Sequence, residues 1–250
     1  MSRQTNINTN FTIKGGFWLY GLHAVHAALV NRKRQKMRLV ATSDAYTNLI
    51  EKLGIPLKIS HDIVDRLTLD KICGKDAVHQ GLALHVMPLG GASIDEMLDR
   101  PGPILMLDQV TDPRNIGAIL RSAVAFGAAG VILQDRHSPD ENGVMAKAAS
   151  GGLDIIPILR AVNLSRELGK LKEQGLWIVG LDAHGNLLNG ADYVNRRIVL
   201  VLGAEGAGIR QLTKKNCDEI ASLRMTGDID SLNVSVAGAI ALYEITRSFF

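Results

Sequence analysis

From residue 104 onward, short apolar runs alternate with amphipathic stretches, and that alternation constrains the fold more than any other feature of the chain. The apolar runs lie at 104–110, 131–134, 155–159, 177–181, 198–203 and 220–225. Stretches of helical spacing at 115–126, 164–173, 209–216 and 233–249 separate most of them. A short run that is apolar at every position must be buried on both faces. Strands of a parallel sheet sandwiched between helices meet that condition. The expected class is therefore α/β, with a largely parallel, two-sided sheet.

The first third of the chain follows a different plan. Residues 22–30 and 45–53 have helical spacing, and the second stretch is stopped by Gly54 and Pro56. Strands are expected at 37–41, 56–59 and 82–87, and a helix at 63–73. Pro88, Gly90, Gly91, Pro101, Gly102 and Pro103 punctuate a linker with a short helical segment at 94–98. This divides the chain into a polar tail (1–16), a small α/β domain (17–88), a linker or hinge (89–101) and a larger domain (102–250).

Charge divides the same way. Residues 1–88 hold 12 Lys/Arg against 6 Asp/Glu, whereas residues 89–250 hold 16 against 19. A polyanion partner for the basic half and a merely solvated surface both fit that bias. Aromatic residues are 4% of the chain, too few for recognition built mainly on base-stacking platforms. No apolar run approaches the roughly 18 residues of a membrane helix, and the first 16 residues carry no signal-peptide core. Neither membrane spanning nor secretion by that route is expected. Cys73 and Cys217 offer no metal-ligand spacing and suit a reducing cytoplasm. His23, His26, His79 and His85 are scattered without ligand spacing, so no metal is expected. No serine sits in a nucleophile elbow.

Four clusters carry candidate chemistry. In 108–121 a strand ends, Asp112 can cap a helix begun by Pro113, and Asn115 and Arg121 follow near the strand's carboxyl end. Gly117 there admits a second backbone. An ordinary capped helix with a surface arginine fits as well. In 198–208 a strand runs into Gly203, Glu205, Gly206 and Gly208, a pattern that is neither GxGxxG nor a P-loop. A close ligand contact and a plain Gly-rich connection both remain open. In 231–244, Ser231 or Asn233 can cap a helix whose packed face is Val234, Ala237, Gly238, Ala241, Leu242 and Ile245. The fourth cluster, Arg32, Lys33, Arg34, Lys36 and Arg38, can grip phosphates or form a solvated loop.

Taken together, the segments 115–121, 202–208 and 231–236 resemble the three motifs of the SpoU (TrmH-type) RNA ribose 2′-O-methyltransferases, a branch of the SPOUT superfamily. The resemblance covers 104–250 with no departure at the principal motif positions. More weakly, the segments 21–25 and 79–81 resemble the N-terminal domain of the 23S ribosomal RNA guanosine methyltransferases of that family.

The resemblance implies a trefoil-knotted C-terminal domain and a ribosomal-protein-like N-terminal domain. It implies a homodimer with its active site near the subunit interface, acting in the cytoplasm on 23S rRNA or a large-subunit precursor. S-adenosylmethionine is the implied cofactor, and Gly203, Leu223 and Leu232 match the positions that hold it through main-chain groups. Met225 and Ile229 are the implied apolar neighbours. The reaction is methyl transfer to a ribose 2′-hydroxyl, which excludes DNA. Arg121 then falls at the nucleophile. A guanidinium pKa above about 12 makes a base role awkward. Two readings stay open: a partly neutral Arg121, or a charged one that orients phosphate and stabilises an alkoxide. Asn115 is expected to position Arg121 or the ribose, and Glu205 to hold an arginine or the base region. Ser231 and Asn233 are expected to fix their loop and contact the nucleotide, and Arg114 to contact phosphate. A tRNA guanosine methyltransferase and a non-catalytic rRNA-binding assembly factor are the alternatives.

Overall fold

The computed structural model describes residues 15–228 and 231–247. The expected tail at 1–16 falls almost wholly outside them.

The first domain contains β1 (Phe17–Tyr20), α1 (Leu22–Val30), β2 (Lys36–Ala41), α2 (Ser43–Leu53), β3 (His61–Ile63), α3 (Arg66–Cys73) and β4 (Leu82–Val86). Its sheet order is β1-β4-β2-β3. β4 runs antiparallel to both β1 and β2, and β3 is parallel to β2. The strand expected at 56–59 lies instead at β3. The pairing with β2 starts where Leu39 N–H reaches the Ser60 carbonyl, beyond the proline that lacks a donor. Helix α3 begins three residues later than expected because Asp65 caps it, accepting from Thr68 N–H at 2.8 Å.

The second domain follows α4 (Ile94–Leu98). It contains β5 (Ile104–Leu107), α5 (Pro113–Ala125), β6 (Gly130–Gln134), α6 (Gly143–Ala149), β7 (Ile158–Ala161), α7 (Leu164–Glu173), β8 (Trp177–Leu187), β9 (Ile198–Leu202), α8 (Gln211–Lys215), β10 (Glu219–Ser222) and α9 (Val234–Thr246). Among the described residues its sheet has the order β10-β8-β9-β5-β6-β7, and every pairing is parallel. Every residue of β5, β6 and β9 is buried, and successive side chains of β5 and β9 enter opposite cores. Ile104, Met106, Val199 and Val201 pack with Leu164, Leu168 and Leu171 of α7. Leu105, Leu107, Leu200 and Leu202 pack on the other face with α5 and α9. This is the two-sided parallel sheet that the uniformly apolar runs require.

Three elements of this domain depart from the sequence reading. β7 starts after Pro157 rather than at 155, with Val131 N–H bonded to the Pro157 carbonyl. Helix α6, capped by Asn142, is not anticipated; its seven residues, GVMAKAA, are too few to show helical periodicity. β10 stops at Ser222, and residues 223–225 turn away to line a pocket.

The two domains pack directly on one another beside the 89–101 linker. A Cβ on Gly143 would stand 2.5 Å from the Trp18 carbonyl oxygen, so α6 lies directly on β1. Arg34 is fully buried in the junction. Its guanidinium donates to Asp154 at 2.8 and 3.2 Å, to Glu141 at 2.6 Å and to the Met87 carbonyl at 3.0 Å. Glu141 in turn accepts Leu89 N–H at 3.1 Å. Arg34 is therefore not a phosphate contact: with its side chain 0% exposed, no backbone of another molecule can reach it. Arg38 is likewise engaged, 2.5 Å from Asp62, and Lys33 lies 2.8 Å from Glu96. Arg32 is exposed and Lys36 partly so.

Candidate active site

The carboxyl ends of β5, β9, β8 and β10 lie side by side, and the loops leaving them build one site. Open α/β sheets place ligands at such strand ends.

The loop after β9 is closed on itself. Ala204 and Gly208 exchange two backbone hydrogen bonds, of 3.1 and 2.9 Å, around Gly206. Gly206 and Gly208 have φ of +77° and +66°, which L side chains rarely adopt. A Cβ on Gly203 would stand 2.1 Å from the Gly208 carbonyl carbon, so the loop can fold back only over a glycine. Two residues further, the chain is pinned by a buried carboxylate. Asp108, at the end of β5, accepts Arg210 N–H at 3.1 Å and Arg210 Nε at 2.7 Å.

The loop within β8 is a bulge. The register with β10 passes from Ile220–Gly180 directly to Ala221–Asn186, so residues 181–185 have no partner on β10; Leu181 still pairs with Leu202 of β9, and 181–184 line the site. Asp182 fixes the bulge by accepting His184 N–H at 3.1 Å and Lys214 Nζ at 2.9 Å. The hydrogen bond from Lys214 holds the Asp182 carboxyl below the usual carboxylate range.

Between these loops lies a pocket of about 360 Å³. Gly203, Leu223, Met225 and Leu232, four of the five expected cofactor positions, line it, together with Glu205 and Ser231. Ile229 lies outside the described residues. At the pocket's edge the three motifs meet. Asn115 Nδ2 donates to Glu205 Oε1 at 3.0 Å. Asn233 Nδ2 donates to the same oxygen at 2.6 Å and to Asn115 Oδ1 at 3.0 Å. Asn233 Oδ1 caps α9 by accepting Ser235 N–H at 2.9 Å, so Asn233 and not Ser231 is the cap.

Of the alternatives expected for Asn115 and Glu205, the ones within the protein are not met among the described residues. Asn115 engages Glu205 rather than Arg121, and Glu205 is held by two amides rather than by an arginine. Arg114 and Arg121 are exposed on α5. Seven residues is close to two helical turns, so both lie on one stripe. Three contributors escaped the sequence reading: Asp108, Arg210 and Asp182. Asp108 carried a signal, being the first charge after a fully apolar strand. Asp182 carried none.

A family model described as SpoU rRNA Methylase family matches residues 102–243. The chain belongs to that family. A second model, described as RNA 2′-O ribose methyltransferase substrate binding, matches residues 18–90. The resemblance carried by the three motifs is thereby shown. The chain is similar to the 23S rRNA (guanosine-2′-O-)-methyltransferase RlmB of Pseudomonas aeruginosa, at 39% identity over 92% of this chain and 95% of that protein. It is 36% identical to RlmB of Escherichia coli, over 92% and 97% of the two chains. It is also 40% identical to a Synechocystis protein described as an uncharacterized tRNA/rRNA methyltransferase, of which it spans 62%. In fold it is similar to the SpoU methyltransferase AviRb of Streptomyces viridochromogenes, solved in complex with AdoMet (TM-score 0.77, 23% identity, covering 93% and 90% of the chains). No helix among the described residues is long and apolar enough to cross a membrane.

Proposed function

We propose that this SpoU-family chain methylates the ribose 2′-hydroxyl of a guanosine in 23S rRNA, using S-adenosylmethionine, as a cytoplasmic homodimer. The observation that carries the reading is the meeting of Asn115, Glu205 and Asn233 on one carboxylate oxygen beside a pocket formed by the 203–208 loop and by Leu223, Met225 and Leu232.

The pocket fits the cofactor chemically. Leu223, Leu232 and Met225 offer apolar contact for an adenine, and the main chain of 203–208 offers hydrogen bonds. Gly203, Leu223 and Leu232 are the positions assigned to its adenine and ribose. When bound, the cofactor supplies a methyl group on a sulfonium. The knotted path of the family supplies the remaining reason for the glycines. Gly238, whose Cβ would stand 2.6 Å from Leu202 Cδ1, lets α9 lie close on the end of β9, as that path requires.

The chain's own residues align and polarise. Glu205, held by two amides, has a second oxygen left to fix the guanosine or its ribose. Ser231 contacts the nucleotide from the rim. Arg121 stays charged and lowers the cost of negative charge on the 2′-oxygen as its proton passes to solvent water. Arg114, on the same stripe, takes a flanking phosphate, and Arg32 and Lys36 add weaker phosphate attraction. The dimer is supported by an apolar stripe on α9: Val236, Ile240 and Tyr243 recur at helical spacing yet are 47%, 44% and 55% exposed.

Labelled methyl transfer to separated 23S, 16S and transfer RNA, with nuclease mapping of the product, tests the reading. Label on one guanosine 2′-oxygen of 23S RNA is the expected result. Label confined to transfer RNA would keep the chemistry and overturn the substrate. No label on naked RNA or on immature large subunits would leave the chain a binding factor.

A further inference from the structure

The residues assigned to methyl transfer leave unused a group of polar side chains on the first domain, against α6. There, the starts of α1 and α2 and the turn before β4 enclose a recess of about 300 Å³. Leu22, Ala45 and Leu82 give it apolar lining, and Thr42, Asp44, Asn48, Arg66 and Gln80 polar lining.

The turn holding Gln80 is strained and heavily braced. Gln80 has φ +54°, unusual for a residue other than Gly, Asn or Asp. His79, 1% exposed, fixes it from beneath: Nδ1 accepts Gly81 N–H at 3.0 Å, which leaves Nε2 to donate to Asp70 Oδ1 at 3.0 Å. A Cβ on Gly81 would stand 2.5 Å from Thr42 Oγ1 and 2.7 Å from Ala45 Cβ, so the turn is pressed against α2. Strain that the surroundings over-determine clusters at ligand clamps. Its effect here is to fix the Gln80 amide. Oε1 accepts Lys147 Nζ at 2.7 Å and Leu22 N–H at 3.3 Å. The amide nitrogen makes no hydrogen bond among the described residues, and its two donors are left for a ligand.

The charges point to the ligand's class. Lys147 arrives from α6 of the other domain, and neither it nor Arg66 pairs with a carboxylate among the described residues. Apolar lining in a recess of this volume, free amide donors, one carboxylate and two uncompensated cations form the complement of a nucleotide: splayed base, polar edge, phosphate. Lys147 stands beside the recess, on its Gln80 side, and its helix leads toward the methyl-transfer residues. A Cβ on Gly117 would stand 2.5 Å from the Met145 carbonyl oxygen, so the helix presenting Lys147 is packed on the helix bearing Arg114 and Arg121.

We propose that this recess is a second RNA subsite, holding an unpaired nucleotide of the strand whose ribose is methylated. The base lies on Leu22 and Ala45, its edge meets Gln80, Asn48 and Asp44, and its phosphate meets Arg66 and Lys147. The inference rests on the rRNA methyltransferase reading.

The test uses the full chain with a 23S rRNA transcript, comparing wild type with Asn48→Ala, Arg66→Ala and Lys147→Met. Binding is measured across a salt series, beside cofactor affinity and thermal unfolding. Arg66→Ala should weaken RNA binding about tenfold and flatten the salt slope by about 0.7, the value for one phosphate of a single strand. Lys147→Met should do the same. Asn48→Ala should weaken binding about fivefold with the slope intact. Cofactor affinity and unfolding should not move in Asn48→Ala or Arg66→Ala, which lie away from the domain junction. RNA binding and slope at wild-type values in those two variants would overturn the subsite while leaving the enzyme's function standing. Failure of the wild type to bind either the transcript or immature large subunits would remove both readings together, whereas binding without methylation would overturn the enzyme's function and leave the subsite standing.

Discussion

Asn233 Nδ2 lies 2.6 Å from Glu205 Oε1, and this contact joins the start of α9 to the loop after β9 across 28 residues of sequence. Asn115 donates to the same oxygen, so one carboxylate sets the relative position of three segments. A charged acceptor is worth roughly twice a neutral one to each donor. Glu205→Gln keeps the shape but removes the charge and one acceptor. It should lower kcat about 100-fold, the range seen when one aligned polar group is lost from a reacting centre. Cofactor affinity should change much less, which single-turnover transfer and calorimetry would separate. An equal loss in both would mean that Glu205 holds the cofactor instead.

Gly203→Ala tests the loop itself. The new Cβ would fall 2.1 Å from the Gly208 carbonyl carbon, which is backbone and cannot swing aside. The 204–208 loop must open, and overpacking of this kind costs about 1–3 kcal/mol. Cofactor affinity should fall at least about tenfold, with a lower Tm. Gly206→Ala is the control: no atom lies within 4 Å of its Cβ, so only its positive φ resists.

These two residues also show how far the chemistry was legible. Glycine and carboxylate at 203 and 205 stand out because they interrupt an apolar strand, and the strand's burial on both faces follows from its uniform composition. What Glu205 binds was not legible, because its partners lie 90 and 28 positions away. Within the basic run at 32–38, Arg34 was misleading for the same reason. Charge density along a chain says nothing of the Asp154 and Glu141 that the fold brings to Arg34. Helix α6 was missed for want of length. Its packing on β1 and α5, rather than its own seven residues, stabilises it.

Arg34 and Arg32 should therefore behave oppositely. Arg34→Met leaves the Asp154 carboxylate, 2% exposed, and Glu141 without their cation, a loss of about 3–5 kcal/mol for a buried pair. Urea unfolding should show it, and the two domains should lose their fixed relation. Arg32→Ala should leave unfolding unchanged and weaken RNA binding only slightly. A stable Arg34→Met protein with weakened RNA affinity would restore Arg34 as a phosphate contact.

The exposed stripe on α9 makes a prediction about assembly. Ile240→Asp puts a charge at the middle of an apolar patch while leaving Leu242 and Ile245 of the buried face untouched. Light scattering should report a dimer for wild type and a monomer for the variant. Methyl transfer should fall with dimerisation, and secondary structure should be kept. A wild-type monomer at micromolar concentration would remove the shared-site reading.

Acid should loosen the pocket through Asp182. Its carboxyl is held below the unfolded value of 3.8 chiefly by the hydrogen bond from Lys214. The folded protein therefore binds fewer protons than the unfolded chain near that pH. The stabilisation is complete above 3.8 and is lost as pH falls through the lowered folded value. The pair is partly exposed, 14% and 30% for the two side chains, so its worth is only about 0.5–1 kcal/mol. Asp182→Asn should lower Tm slightly at neutral pH, and the difference from wild type should vanish below that window. Cofactor affinity should follow the same course, since residues 181–184 line the pocket. A difference in Tm that persists undiminished in strong acid would assign Asp182 a role other than its pairing with Lys214.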